Sequence, residues 1–235
     1  MEPILLPSKI RFTRGDRPHE AVLTVEPCAQ GYGTTLGNAL RRVLLGSLSG
    51  AAVTAVKIKG VDHEFSTLSH VKEDMLEVIL NLKMLRMKLF SEEPVKLTLS
   101  VKGEKVVTGN DFDKNAQVEI INTDLPIATL TDPSGSFEME VWISPGRGYR
   151  STEERAKEKL ELGTIAIDAL YSPVLNVSYK VEATRVGEKT DFDKLILRIE
   201  TDGTIDPIDA TNQAVGVLLD YVNVLKDLTY TEESA

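Results

Sequence analysis

Two glycines near the N-terminus are the part of this sequence that comes nearest to a chemical motif. Gly31 and Gly33 follow a segment rich in β-forming residues and precede a helical pattern. A dinucleotide-binding turn has the same order of strand, turn and helix, with glycines spaced as G-x-G-x-x-G. Here the third position is Leu36, and Gly37 comes one residue late. The glycines therefore predict a turn, and Gly37 predicts a close approach of the helix to its neighbour.

Arg41 and Arg42 lie side by side on the polar side of that helix. Adjacent arginines are commonly solvated surface residues. A guanidinium on a rigid helix is also able to hold a carboxylate through two hydrogen bonds, which makes it a common interface anchor. The pattern by itself leaves both interpretations open.

The histidines and carboxylates show no catalytic or metal-binding pattern. His19, His63 and His70 are the only histidines, and they lack the H-E-x-x-H spacing of a zinc site. Asp111 and Asp113 lack the other ligands of a calcium loop and predict a turn. We therefore expect no catalytic residue, no cofactor and no metal.

The composition favours protein partners in a reducing compartment. The 235 residues carry a formal net charge of −9, so the chain as a whole does not attract phosphate. A single cysteine, Cys28, excludes a disulfide framework and a Cys-rich zinc site. No apolar run approaches the roughly 20 residues that span a bilayer. We expect a soluble, intracellular protein without membrane contact.

Periodicity predicts three helices and several strands. The helices run from Thr34 or Thr35 to about Leu45, from near Ser69 to about Leu82, and from Asp206-Pro207 to about Lys226. Apolar or alternating segments predict strands at 21–25, 53–58, 85–89, 95–101, 137–143, 177–182 and 195–200. A loop is expected at 145–148, and the charge-dense segment 151–161 is a solvated helix or a loop.

This order predicts an α+β fold in which both ends of the chain enclose a strand-rich middle. The termini of one domain often lie close together. We therefore expect a discontinuous domain from residues 1–49 and 177–235, with an insertion at residues 50–176.

The last helix has more apolar surface than a surface helix needs. Its apolar residues form two stripes: Val215, Leu218, Val222 and Leu225; and Ala214, Val217, Tyr221, Val224 and Leu228. One stripe, roughly 100° wide, is enough to pack a helix on its own core. The helix is either enclosed within its own domain or covered by a partner, and the small number of helices favours a second copy of the chain.

A series of longer motifs resembles the alpha subunit of bacterial-type RNA polymerase. The motifs appear in that family's order and extend over nearly the whole chain. They are GYGTTLGNALRRVLL (31–45), VKEDMLEVILNLK (71–83), GRGY (146–149), DALYSPV (168–174), VEATRV (181–186), TDFDKL (190–195) and ETDGTIDP (200–207). The series is far more specific than any single motif.

The resemblance implies an N-terminal assembly domain with a discontinuous dimerisation subdomain, made of an antiparallel sheet and two long helices, and an inserted β-rich subdomain. It implies a non-catalytic scaffold of DNA-directed RNA polymerase, a nucleotidyltransferase complex whose chemistry occurs in the large subunits. The homodimer would dock the beta and beta-prime subunits, with omega and sigma in the same assembly. The compartment would be the bacterial cytoplasm or the plastid stroma.

The resemblance also assigns roles to individual residues. Arg42, supported by Leu45, would dock the beta subunit. Lys83 and Ile167 would lie at the beta-prime contact, and Arg185 matches an assembly-sensitive position whose role the motif leaves open. The first and last long helices would form the dimer interface through Leu36, Leu40, Val43, Leu218, Val222 and Leu225.

Some parts of the chain depart from the family's pattern. The segment 149–162 diverges, so no contact is carried over to it. The family's chain continues to a small DNA-binding domain, and this sequence stops before it, so we expect no direct sequence-specific DNA contact. Two other classes stay open: a nucleotide-binding oxidoreductase, which needs a parallel sheet, and a stand-alone dimeric adaptor with the same fold.

Overall fold

The computed structural model describes residues 4–155, 160–187 and 189–226. Within these ranges the chain forms fourteen β-strands and three α-helices. In chain order they are β1 (Lys9–Arg14), β2 (Glu20–Cys28), α1 (Tyr32–Gly46), β3 (Ser49–Ile58), α2 (Met75–Lys83), β4 (Met87–Leu89), β5 (Val95–Lys102), β6 (Lys105–Thr108), β7 (Val118–Ile120), β8 (Pro126–Leu130), β9 (Ser136–Arg147), β10 (Tyr149–Arg150), β11 (Ile165–Ala166), β12 (Ala169–Leu170), β13 (Val174–Val186), β14 (Lys189–Thr201) and α3 (Pro207–Val224).

The described residues divide into two compact units. Unit 1 takes the residues up to Leu48 and those from Val174 onward, and unit 2 takes Ser49–Pro173. Every strand pairing between described residues is antiparallel. The predicted mixture of helices with antiparallel sheets is confirmed.

Unit 1 is a four-stranded sheet with α1 and α3 on one face. The strand order is β1–β2–β14–β13. Alternate side chains of β14 point into the core, because neighbouring residues of a strand face opposite sides of the sheet. The core includes Leu23, Val25, Leu40, Leu44, Leu195, Leu197, Ile199, Ala210 and Ala214.

Unit 2 is built around a second four-stranded sheet, with strand order β11–β3–β9–β5. Three two-stranded pairs complete it: β4 with β7, β6 with β8, and β10 with β12. Buried and exposed side chains alternate along β5 and along most of β9, as the period-2 pattern predicts. α2 contributes Met75, Val78, Ile79 and Leu82 to this core.

Several predicted boundaries were wrong, and the residue that caps each helix gives the reason. α1 begins after Gly31, which has a φ of 84°, rather than at a threonine cap. α2 begins at Met75 rather than near Ser69, because the Asp74 carboxylate caps it by accepting the Glu77 N–H at 2.7 Å. The start of α3 is confirmed, since Asp206 accepts the Ile208 N–H at 2.9 Å.

Pairing between distant strands explains the other differences. β9 continues through the predicted loop to Arg147, because it pairs with β3 as far as Ser49. β1 was not predicted as a strand, although it pairs with β2 along its whole length. In the segment 151–161, the described residues 152–155 form turns, and 156–159 lie outside the described residues.

Candidate docking surfaces

The N-terminus of α1 is occupied by a carboxylate of the same unit. Asp193 of β14 accepts hydrogen bonds from the backbone N–H groups of Gly31 (2.8 Å) and Gly33 (3.1 Å). This carboxylate satisfies the free N–H groups and the helix dipole that would otherwise attract a phosphate. The glycine turn thus serves the fold. The antiparallel sheet also lacks the parallel arrangement that a dinucleotide site requires.

The glycine side of α1 lies against the sheet. A Cβ added at Gly37 would come within 2.7 Å of the Tyr179 ring, so the predicted close approach is confirmed. Of the apolar face that the periodicity predicts, Leu40 and Leu44 are buried. Leu36 is instead exposed, because the glycines rather than this leucine face the sheet.

The two adjacent arginines of α1 have different surroundings. Arg41 Nε donates a hydrogen bond to the Val177 carbonyl of β13 at 3.1 Å. The Arg42 side chain is exposed, and no described residue forms a hydrogen bond or an ion pair with it. Leu45, three residues further along and so on the same side of the helix, is partly buried against the unit 1 core. Arg42 is therefore the arginine that is available to a partner.

The stretch 215–225, in α3 and its C-cap, carries apolar side chains that the described chain does not cover. They are Val215 (39% exposed), Leu219 (55%), Tyr221 (74%), Val222 (61%), Val224 (78%) and Leu225 (60%). A helix enclosed within its own domain would bury such residues. Leu228, the last member of the second predicted stripe, lies outside the described residues. An exposed apolar surface of this kind is typical of an interface with another protein.

Of the six residues predicted for a dimer interface, five lie in α1 or α3 and Leu225 is the C-cap residue of α3, but the six differ in burial. Three of them are exposed (Val222, Leu225 and Leu36), two are partly buried (Val43 and Leu218), and Leu40 is buried. Leu40 fills the core of its own unit, so the other five leave more surface for a partner.

Lys83, at the C-terminal end of α2, forms an ion pair with Asp168. The Lys83 Nζ to Asp168 Oδ2 distance is 3.1 Å, and both side chains are about one-third exposed, at 35% and 31%. The other carboxylate oxygen accepts the backbone N–H of Thr152 at 2.9 Å. The Thr152 N–H and the Lys83 ammonium hold the pKa of Asp168 below its ordinary value. With Tyr149 and Leu170, the pair lines a cavity of about 220 Å³.

Ile167 is a core residue with 1% of its surface exposed. Its N–H donates to the Thr54 carbonyl at 2.9 Å, and its own carbonyl accepts a hydrogen bond from the Arg155 guanidinium. The side chain therefore packs in the core of unit 2 rather than facing a partner directly. The resemblance assigned roles to Lys83 and Ile167 but none to Asp168, the first residue of the DALYSPV motif, which the fold places beside the lysine.

Arg185 lies near the outer end of β13. β2 pairs with β14 only from Asp193 to Glu200, so this end of the β13–β14 hairpin extends beyond β2. The Arg185 side chain is exposed, and its Nε donates to the Gly187 carbonyl. The residue thus lies on a two-stranded projection of unit 1.

The chain is similar to known proteins over most of its length. The model of the RNA polymerase Rpb3/RpoA insert domain matches residues 56–172. The DNA-directed RNA polymerase subunit alpha of Alkaliphilus oremlandii is 48% identical over 206 residues, which cover 88% of this chain and 65% of that relative. The corresponding subunit of Roseiflexus castenholzii is 47% identical over 215 residues, which cover 90% and 66%. This chain belongs to the RNA polymerase alpha-subunit family.

The chain spans about two thirds of the length of these alpha subunits, at 65% and 66%. The insert-domain match falls within unit 2 and contains Lys83, Ile167 and Asp168. Arg42 and Arg185 lie outside that match, in unit 1.

The described residues contain no metal-binding cluster. No three His, Cys, Asp or Glu side chains among them are grouped so that they could hold an ion. His63 instead lies 3.2 Å from the Ser66 hydroxyl, and Asp111 forms part of a capping box on a short 3₁₀ helix. The expectation of no metal and no cofactor stays a prediction. None of the described helices is both long enough and apolar enough to cross a bilayer.

Proposed function

We propose that this chain is an assembly scaffold of DNA-directed RNA polymerase. Two copies form a homodimer, and the dimer docks the beta and beta-prime subunits, with omega and sigma in the same assembly. Nucleotidyl transfer takes place in the large subunits, and the chain has no catalytic residue of its own. The observation that carries the proposal is the uncovered apolar surface of α3, found in a member of the alpha-subunit family.

Unit 1 is the proposed dimerisation subdomain, and unit 2 is the inserted β-rich subdomain. The dimer contact is a two-fold contact of α1 and α3 with the same helices of the second copy. Val222 and Leu225 lie at its centre, with Leu36, Val43 and Leu218 around them. The exposed apolar area on α3 supports this arrangement, because burying it provides a hydrophobic driving force for association.

Arg42 is the proposed anchor for the beta subunit, with Leu45 beside it. The argument rests on the contrast between the two arginines of α1. Arg41 has a hydrogen-bond partner in β13, whereas no described residue bonds to the exposed Arg42 guanidinium, so its donors can meet a carboxylate of the partner.

Lys83 is the proposed contact for beta-prime, and Ile167 supports it from the core. Leu76 and Leu80 of α2 are exposed, as is Met84 just after it, so apolar surface adjoins Lys83. Apolar surface with a cation at its edge suits a protein partner. Arg185, on the projecting hairpin, is proposed to act in assembly.

The experiment uses the purified chain mixed with its cognate beta subunit, with the mass of the complex measured by light scattering. The variants are Arg42→Ala and, as the matched control, Arg41→Ala. We expect wild type and Arg41→Ala to form a complex of two copies of this chain with one beta subunit. Arg42→Ala should remain a dimer but bind beta at least about tenfold more weakly, the scale of an interface anchor.

The possible outcomes separate the parts of this proposal. A wild-type chain that stays monomeric or ignores beta would refute the scaffold role. Equal loss of binding in both arginine variants would show that α1, rather than Arg42 in particular, is needed. Equal binding by all three proteins would leave the scaffold role standing and remove Arg42 as the anchor.

A further inference from the structure

Asp168 contacts one of the two residues proposed to act in beta-prime docking, Lys83, and is the chain neighbour of the other, Ile167. Its Oδ2 lies 3.1 Å from Lys83 Nζ, and it directly follows the buried Ile167 in the chain. Its Oδ1 accepts the Thr152 N–H at 2.9 Å, so both oxygens of the carboxylate are engaged. Hydrogen bonds to a charged group are the stronger ones, and two of them fix the orientation of this carboxylate.

We propose that Asp168 is a positioning residue, which holds the Lys83 ammonium at the cavity beside Tyr149 and Leu170 so that Lys83 meets the large subunit in a fixed geometry. The inference rests on the proposed docking role of Lys83. A free lysine loses much of its rotamer freedom when it binds. An ammonium has three donors, so Lys83 can bond to Asp168 and still donate to a carbonyl or carboxylate of the partner. If Asp168 already holds the Lys83 side chain before docking, less conformational entropy is lost when the partner binds.

The alternative is that Asp168 serves the fold alone, through its bond to Thr152. Asp168→Asn separates the two roles, because an asparagine oxygen can still accept the Thr152 N–H while the charge that holds Lys83 is lost. A double-mutant cycle with Lys83→Ala then measures whether Asp168 acts through the lysine.

The experiment measures the dissociation constant between the preassembled complex of this chain with beta and the beta-prime subunit. We expect Lys83→Ala and Asp168→Asn each to weaken binding by about three- to tenfold, the scale of a partly exposed charged pair at the edge of an interface. The double variant should bind no more weakly than Lys83→Ala, and Asp168→Glu should restore part of the affinity. Glu138→Gln, which removes the exposed 2.9 Å pair with Lys59 in the same unit, is the control and should leave binding unchanged.

Additive losses in the double variant would overturn the positioning role, since Asp168 would then act independently of Lys83. An unchanged affinity for Asp168→Asn would overturn it too, while leaving the docking role of Lys83 intact. If wild type does not bind beta-prime at all, the proposed function itself fails. The urea unfolding midpoint of each variant shows whether a loss of binding reflects a loss of folding.

Discussion

Glu20 lies at the start of β2 and shows how unit 1 keeps a buried carboxylate charged. Its side chain accepts hydrogen bonds from the backbone N–H groups of Asp16 (3.0 Å) and Arg17 (3.1 Å) and from the Arg198 guanidinium (2.9 Å). Burial by itself raises the pKa, but these donors outweigh it, and the pKa of Glu20 lies below its ordinary value.

We expect Glu20→Gln to lower the stability of the folded chain at neutral pH. Because the pKa of Glu20 is lower in the folded state, its stabilisation is present above the unfolded-state pKa and is lost as the pH falls through the folded-state pKa. The difference in urea midpoint between wild type and variant should therefore shrink in acid. Glu138→Gln, at an exposed pair, is the control and should differ little from wild type. A difference that grows as the pH falls would contradict this account.

Asp193 supplies the cap that Gly31 lacks. We expect Asp193→Ala to reduce the free energy of unfolding by about 1 kcal/mol, the usual effect of losing a helix N-cap. Asp193→Asn keeps an acceptor for the Gly31 and Gly33 N–H groups, and it should lose less. Equilibrium urea unfolding of both variants measures the difference, and equal losses would mean that charge, rather than the hydrogen bonds, is what counts.

At the scale of elements, the buried glycines of α1 determine how closely the helix packs against the sheet. Gly37 lets the helix approach β13 so closely that an added Cβ would come within 2.7 Å of Tyr179. That contact rotates the helix so that Leu36 faces outward, while Leu40 and Leu44 remain in the core. A pattern of apolar residues does not reveal this rotation, because glycine adds nothing to the apolar count.

Gly37→Ala tests this packing. Alanine favours a helix by up to about 1 kcal/mol over glycine, but overpacking costs about 1–3 kcal/mol. We therefore expect a net loss in the free energy of unfolding, measured by urea denaturation. The control is Gly46→Ala in the same helix, where an added Cβ meets nothing within 4 Å and no loss is expected. An increase in stability for Gly37→Ala would show that the sheet yields to the methyl group.

At the scale of the whole molecule, the main feature is apolar surface that one copy of the chain leaves exposed. On α3 the exposed fractions rise to 74% for Tyr221 and 78% for Val224. Exposing apolar side chains to water costs free energy, and association with a partner removes that cost by burying them. The mass of the protein in solution is therefore the direct test of what covers α3.

Val222→Asp should convert the proposed dimer into a monomer. The valine is 61% exposed in the single chain, so the charge is tolerated there, whereas it would be buried in a dimer contact. Light scattering at micromolar concentration gives the mass, and circular dichroism checks that the fold is kept. Val106→Asp, at a valine of unit 2 that is 48% exposed, should leave the mass unchanged. A dimer that survives Val222→Asp would move the contact away from this part of α3.

The sequence by itself determined those features that depend on residues close together in the chain. The alternation along β5 and β9 and the Asp206 cap of α3 are local patterns, and the structure confirms them. The motifs, taken together, indicated the alpha-subunit family, which the comparisons show.

The tertiary structure decided the features that depend on distant residues. The α1 cap comes from Asp193, more than 150 positions from Gly31, and Lys83 pairs with Asp168 across 85 positions. The spacing alone did not distinguish the two arginines of α1, and the resemblance pointed to Arg42. The structure adds that Arg41 bonds to the Val177 carbonyl of β13. Periodicity describes which way a side chain faces along its own element, but a partner on another element is determined only when the chain folds.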